Sequence, residues 1–264
     1  MPALHLVLLA WLVAAGVMAF LWLLHLPMRN AAIVDFGWGF LLPTIAILYA
    51  FTAPGYAPRR WLIAAMAAVW GYRLAFYLLF TRIIGHPEEG RYVELRQSWK
   101  TNLALKFFLF FQAQALLDVL LSLPFLLAAL DRRPALGWTE SAGAALWAVA
   151  FAGEAAADAQ LSKFKSNPAN KGKTCRSGLW NYSRHPNYFF EWLIWVAYAI
   201  YAIGAPWGSL AISCPALMLF FLFRVTGIPA TEAQALRSRG EEYRRYQETT
   251  SAFVPWLPKK QDAG

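Results

Sequence analysis

The residues best equipped for chemistry lie between Lys163 and Glu191, KFKSNPANKGKTCRSGLWNYSRHPNYFFE, where six lysines and arginines and four asparagines lead into an aromatic, apolar run. Lysines bring charge, and asparagine side chains bring oriented donors and acceptors. In NPANKGK, Pro168 stops a simple helical continuation and Gly172 permits a tight turn, so Asn167, Asn170 and Lys171 can converge on one ligand. An anionic diphosphate suits that set. Further on, Arg176, Arg184 and His185 precede Pro186, which fits the first turn of a helix whose free N–H groups also favour an anion. Asn187, Tyr188 and Glu191 then fall near the entrance of such a site. The plainer account is a topology signal, basic residues beside a span with aromatics at the interface. It covers the charges and leaves the asparagines, His185 and Glu191 without a purpose.

Ionisable side chains also stand inside apolar runs, where charge is costly and usually faces a cavity or a partner. They are Asp35 in VDFGWG, Arg73 in WGYRL, Asp118 beside Gln112 and Gln114, Glu154 with Asp158, and Glu191. Glu154 and Asp158, four residues apart, share one helical face. They either set the packing of the bundle or border a cofactor pocket, and Asp158 is the better candidate because it lies closer to the basic loop. Asp35 is a candidate substrate-site acid, able if protonated to hydrogen-bond a substrate carbonyl, or a structural partner of Arg73. Tyr72 and Tyr77 can donate a proton to a developing enolate or serve as packing residues. Glu88, Glu89, Arg91 and Tyr92 form either a lid over the mouth or a salt-bridged connector.

These groups need an apolar scaffold, and the composition supplies one: 59% of residues are hydrophobic, 16% aromatic and only 15% charged, which excludes an ordinary soluble domain. Apolar runs near the roughly 20 residues that cross a bilayer occur at about 4–26, 32–54, 61–83, 107–130, 142–161, 189–204 and 208–224. The expectation is an all-α polytopic bundle of about seven transmembrane helices forming a single domain over 1–264, with Gly204 and Pro206 marking either a loop or a re-entrant break. Residues 162–188 would be a cytoplasmic cofactor-binding loop and 225–264 a cytoplasmic amphipathic tail packed on the bundle. In that tail Glu232, Arg237, Tyr243, Arg244 and Tyr246 line a helix that either caps the pocket or only tethers the chain, with Phe253, Pro255 and Trp256 as interfacial anchors. The net charge of +9 is concentrated in the 162–187 loop and the tail, which puts the C-terminus in the cytoplasm and the N-terminus outside a bacterial inner membrane. Arg59–Arg60 and Arg132–Arg133 pull weakly the other way.

Cys175 and Cys214 give no disulfide or metal-binding pattern, so no metal is expected. The basic surface lacks zinc-finger or helix-turn-helix spacing, so neither is nucleic acid.

Several motifs together resemble the DUF1295 family of membrane proteins, related to the C-terminal domain of steroid 5-alpha-reductases: VDFGWG (34–39), WGYRL (70–74), EEGRY (88–92), KFKSNPANKGK (163–173), GLWNYSRHPNYFFEW (178–192) and TSAFVPWLPK (250–259). The resemblance implies a steroid 5-alpha-reductase-like bundle that takes NADPH from the cytoplasmic side and reduces the carbon–carbon double bond of an enone lipid. It places Asp158, Lys165, Arg176, Asn187, Glu191 and Arg224 in the cofactor site. The glutamine–glutamate pair of the steroid enzymes is not evident, Asp35 being the nearest acid, so the substrate is a steroid or another unsaturated lipid. The RHPNY element is also similar to one in membrane sterol reductases, which implies NADPH, and to one in isoprenylcysteine and phospholipid methyltransferases, which implies S-adenosylmethionine instead. A transporter is the third class, suggested by Asp35, Asp118 and Glu154, but no inverted repeat accompanies them. A monomer or weak homo-oligomer among membrane lipids is expected.

Overall fold

The computed structural model describes residues 2–88, 90–225 and 227–259. Apolar runs become helices because in lipid only a helix or closed barrel satisfies every backbone polar group. The chain forms α1 (Ala3–Met28), α2 (Ile33–Thr52), α3 (Ala57–Leu78, extended by a π turn at Leu79–Ile83), α4 (Gly90–Trp99), α5 (Leu103–Leu121) and α6 (Leu123–Leu130). There follow α7 (Trp138–Ser166), α8 (Pro186–Ala202), α9 (Ser213–Phe220, ending in a π turn at Phe221–Val225), α10 (Ile228–Arg239) and α11 (Glu241–Thr249).

Five segments among the described residues are long and apolar enough to span a membrane, against the seven expected: Ala3–Met28, Ile33–Thr52, Ala57–Ile83, Leu103–Leu130 and Gly208–Arg239. The physical reason differs for the two that drop out. The fifth expected span lies in α7, which is long enough but is diluted by Glu140, Glu154, Asp158, Lys163 and Lys165. The sixth is α8, whose 17 residues fall short of the usual span.

The chain divides into two compact units, residues 1–141 with 201–211, and 142–200 with 212–264. In the first, α1 and α5 run antiparallel, tied where Trp22 Nε1 donates to Ala104 O (2.9 Å) and Gln112 Nε2 to Ala15 O (3.3 Å). Helices α2 and α3 approach closely because small residues face each other: a Cβ on Gly71 would stand 2.7 Å from Pro43 Cδ and 2.9 Å from Gly39 O. The run 107–130 breaks at Ser122, since Pro124 has no N–H and its ring would meet the preceding turn's carbonyl.

At one end of this unit Arg59 is only 1% exposed, and each nitrogen of its guanidinium donates a hydrogen bond. It donates to Glu140 Oε1 (2.6 Å), to Asp131 O (3.2 Å), to Arg133 O (3.0 Å) and to Ala135 O. Arg133 bridges the same acids, reaching Asp131 Oδ2 at 2.6 Å and Glu140 Oε1 at 3.2 Å. Two of the arginines that weighed against the orientation are therefore neutralised by local acids.

Candidate functional site

All the residues expected at the cofactor fall in the second unit, and local sequence explains how each is held. Asn167 Oδ1 accepts from Ala169 N (3.0 Å) and so opens the short 3₁₀ turn Pro168–Asn170, while Asn170 Nδ2 donates to Phe164 O (2.9 Å). Both asparagine side chains thus serve their own loop. Gly172, at φ +79°, makes the turn, leaving Lys171 exposed, and Lys165 is exposed in the last turn of α7. The loop is then fastened to α7, where Gln160 Oε1 accepts from Leu179 N (2.9 Å) and Trp180 Nε1 donates to Ala157 O (2.9 Å).

Arg176 points to α11. It donates to Glu242 O (2.9 Å), lies over the Tyr246 ring at 5.1 Å and lines a surface cleft of about 440 Å³ with Glu241, Glu242 and Arg245. The Glu242 carboxylate takes Thr174 N and Oγ1 at 3.0 and 2.9 Å.

Arg184, His185, Tyr188 and Glu232 are brought together. Glu232 Oε1 accepts from Arg184 Nε (2.6 Å) and lies 3.3 Å from His185 Nε2, while its Oε2 accepts from Gln247 Nε2 (2.9 Å). Arg184 Nη1 also donates to Gln247 O (2.9 Å) and Thr250 O (2.5 Å). The His185 ring stacks on Tyr188 with centroids 5.4 Å apart, and the Tyr188 hydroxyl is 3.3 Å from Thr231 Oγ1. This knot fixes the start of α8 to α10 and α11. Tyr243 packs beside it with Tyr246, and burial pushes its phenol up to about 12, so it remains a neutral donor at physiological pH.

Deeper, Asn187 Nδ2 reaches Asp158 Oδ1 across the seam of α7 and α8 (3.4 Å). Trp147 Nε1 donates to Tyr198 OH (3.1 Å) farther along the same seam, and that antiparallel register sets Glu154 level with Glu191. Glu154 and Asp158 are buried. Arg224 lies in the π turn that ends α9, exposed. Cofactor candidates thus occupy three surroundings: the loop and its cleft, the knot, and the seam.

The expected catalytic residues are in the first unit. Asp35, in the first turn of α2, receives Tyr92 OH at Oδ1 (2.7 Å) and pairs through Oδ2 with Arg91, whose guanidinium lies 4.7 Å over the Tyr92 ring. Tyr72 OH is 3.2 Å from Thr44 Oγ1. Tyr77 O accepts from Thr81 Oγ1 (2.6 Å). Glu88 fastens the turn before α2, taking Ala31 N at 2.7 Å and holding Arg96 through both oxygens. Burial raises its carboxyl, but Arg96 and the Ala31 N–H outweigh that and leave it below the usual carboxylate value. Glu89 lies outside the described residues. Tyr92 was expected in a lid or a salt-bridged connector, and its place beside Asp35 is set by α4, a helix too polar to read as a span. Among the described residues no group of three His, Cys, Asp or Glu is arranged to hold a metal ion.

The family described as "Protein of unknown function (DUF1295)" matches residues 21–250. No curated protein and no solved structure matches the chain.

Proposed function

This chain belongs to the DUF1295 family, and we propose that it is a membrane-embedded, NADPH-dependent reductase acting on the carbon–carbon double bond of an enone-bearing steroid or other unsaturated lipid. The observation that carries this reading is the polar seam where Asn187 meets Asp158, with Glu154 and Glu191 one turn farther in. Carboxylates and an amide in an apolar helix pair suit hydroxyl and carboxamide groups, and the exposed Lys165, Lys171 and Arg176 suit phosphates. Taken group by group, these side chains match the parts of a phosphorylated dinucleotide, and the steroid-reductase resemblance implies five of them, Asp158, Lys165, Arg176, Asn187 and Glu191.

NADPH supplies the hydride, which would go to the β carbon while a proton reaches the α carbon. The protein's share is to bind, orient and exclude water. Asp35 faces a guanidinium and a phenol O–H, so it acts as an acceptor that holds Tyr92 and Arg91. Those two are then the donors suited to a substrate carbonyl, in addition to the earlier candidates Tyr72 and Tyr77.

Methyl transfer from S-adenosylmethionine to a lipid is the competing reading. It is favoured by Asn170, whose amide donor goes to Phe164 O rather than to phosphate. Titration of the purified protein with NADPH, NADH and S-adenosylmethionine separates the two. NADPH is expected to bind best, and Arg176→Ala and Asn187→Ala to weaken it about ten-fold each. Tight binding of S-adenosylmethionine alone would overturn the proposal.

A further inference from the structure

The last described stretch of the chain is irregular, yet it is firmly fastened. Arg184 N donates to Ser251 O (2.9 Å), Ser183 Oγ to Phe253 O (2.8 Å) and Trp256 N to Tyr182 O (2.9 Å), so residues 251–256 lie as a strap along 182–184. Phe253 is its inward peg. It packs with Leu222 and Ile228, and its ring lies 5.5 Å from Phe189, 5.8 Å from Trp192 and 5.2 Å from Phe223. The outward side chains are Val254, Trp256 and Leu257, at 51, 72 and 74% exposure. Three large apolar side chains on a backbone held by hydrogen bonds are not the product of a fraying terminus.

Phe223 fixes their depth. It sits in the π turn where the last apolar run ends, flanked by the exposed Phe220 and Val225 and followed by Arg224. A strap pegged to that turn runs at the level where hydrocarbon gives way to headgroups, the position at which tryptophan is most at home. The charges near it suit an anionic headgroup: Lys259 follows on the strap, its N donating to Thr249 O at the end of α11 (2.9 Å), and on α11 Arg245, beside Glu241 and Glu242 in the cleft, and Arg244, paired with Glu241 at 3.4 Å, stand exposed. Exposed cations next to an apolar wedge are the recipe for an anionic lipid surface.

We propose that Val254, Trp256 and Leu257 form a rigid wedge seated in the headgroup layer of an anionic membrane, with Lys259, Arg244 and Arg245 holding lipid phosphates around it. Because Arg184 donates its backbone N–H to Ser251 O on the strap and its Nη1 to Thr250 O just before it, lipid binding there steadies the knot at the start of α8.

The test uses the full chain in nanodiscs, with Leu257→Cys carrying a bimane fluorophore and Lys171→Cys as an exposed polar comparison; Cys175 and Cys214 are buried and do not compete for the label. Quenching by headgroup-level nitroxide lipid is expected to be at least about two-fold stronger at position 257 than at 171, and to grow when about a third of the phosphatidylcholine is replaced by phosphatidylglycerol. A second variant, Trp256→Ser, is expected to lower thermal stability in the anionic nanodisc and leave it unchanged in neutral detergent. Equal quenching at both positions, indifference to phosphatidylglycerol, an equal loss in detergent, or shielding of position 257 that tracks dimerisation would each overturn the proposal.

Discussion

Replacing Arg59 with alanine is the sharpest probe of what holds the first unit together. The guanidinium is buried and reaches one carboxylate at 2.6 Å, a second at 3.5 Å and three backbone carbonyls. Removing one side of a buried pair costs about 3–5 kcal/mol, chiefly because the remaining charge stays out of water. Here Arg133 still bridges Asp131 and Glu140, which puts the expected loss at the lower end, about 3 kcal/mol. Arg133 itself is 49% exposed, so Arg133→Ala should cost about 1 kcal/mol or less. The pH dependence follows from the acids. Burial raises both carboxyls, but Arg133 for Asp131 and Arg59 for Glu140 outweigh it, leaving them below their ordinary 3.8 and 4.5. A depressed carboxylate contributes fully above its unfolded pKa, and the contribution drains away as pH falls through the folded value. The Arg59→Ala penalty should therefore be level above about pH 5 and shrink progressively as pH falls below the ordinary carboxylate range. Equilibrium unfolding in mixed micelles across that range measures it. A penalty independent of pH, or Arg133→Ala as damaging as Arg59→Ala, would refute the electrostatic argument.

Two packing predictions accompany it. Gly71→Ala forces a methyl onto the Pro43 ring and the Gly39 carbonyl, which cannot yield, and should cost about 1–3 kcal/mol. Gly37→Ala meets only the flexible ends of Leu21 (2.6 Å) and Met18 (3.1 Å) and should cost under about 1 kcal/mol, so a thermal-unfolding series ranking them in reverse would contradict the seam geometry. Asp118 is 0% exposed in α5, and neither carboxylate oxygen has a hydrogen-bond partner among the described residues. Asp118→Leu is accordingly expected to stabilise the unit by about 1–3 kcal/mol in the same unfolding assay, and a loss of stability would show that the acid has a partner it needs.

How far the sequence carried the reading depended on whether the controlling interaction was local. Spans α1, α2 and α3 were legible because lipid selects for uninterrupted apolar runs, whereas 107–130 reads as one unbroken span and its break at Ser122, signalled by Pro124, was missed. Helix α7 misled in the opposite sense: 142–161 reads as a span, but the buried Glu154 and Asp158 dilute its apolar character below that of the other spans. The turn at Pro168 and Gly172 was foreseen, whereas the use of Asn167 and Asn170 as its braces was not, because asparagine's donors and acceptors serve backbone and ligand alike.

The long-range pairings were beyond any periodicity argument. Nothing in the spacing of Arg184 and Glu232 announces an ion pair across 48 positions, nor that Asp35 would meet Arg91 and Tyr92. Yet these pairings decide the chemistry available. Asp35, read from the sequence as either a substrate-site acid or a partner of Arg73, accepts from a phenol and pairs with a guanidinium, so in the proposed reductase it would position Tyr92 and Arg91 as donors. Arg184, with Nε on Glu232 and Nη1 on two carbonyls, is likewise committed to holding α8, α10 and α11. Phosphate recognition would then fall to the exposed lysines and Arg176, which is why Arg176→Ala should weaken NADPH while Arg184→Ala should first loosen the fold around it.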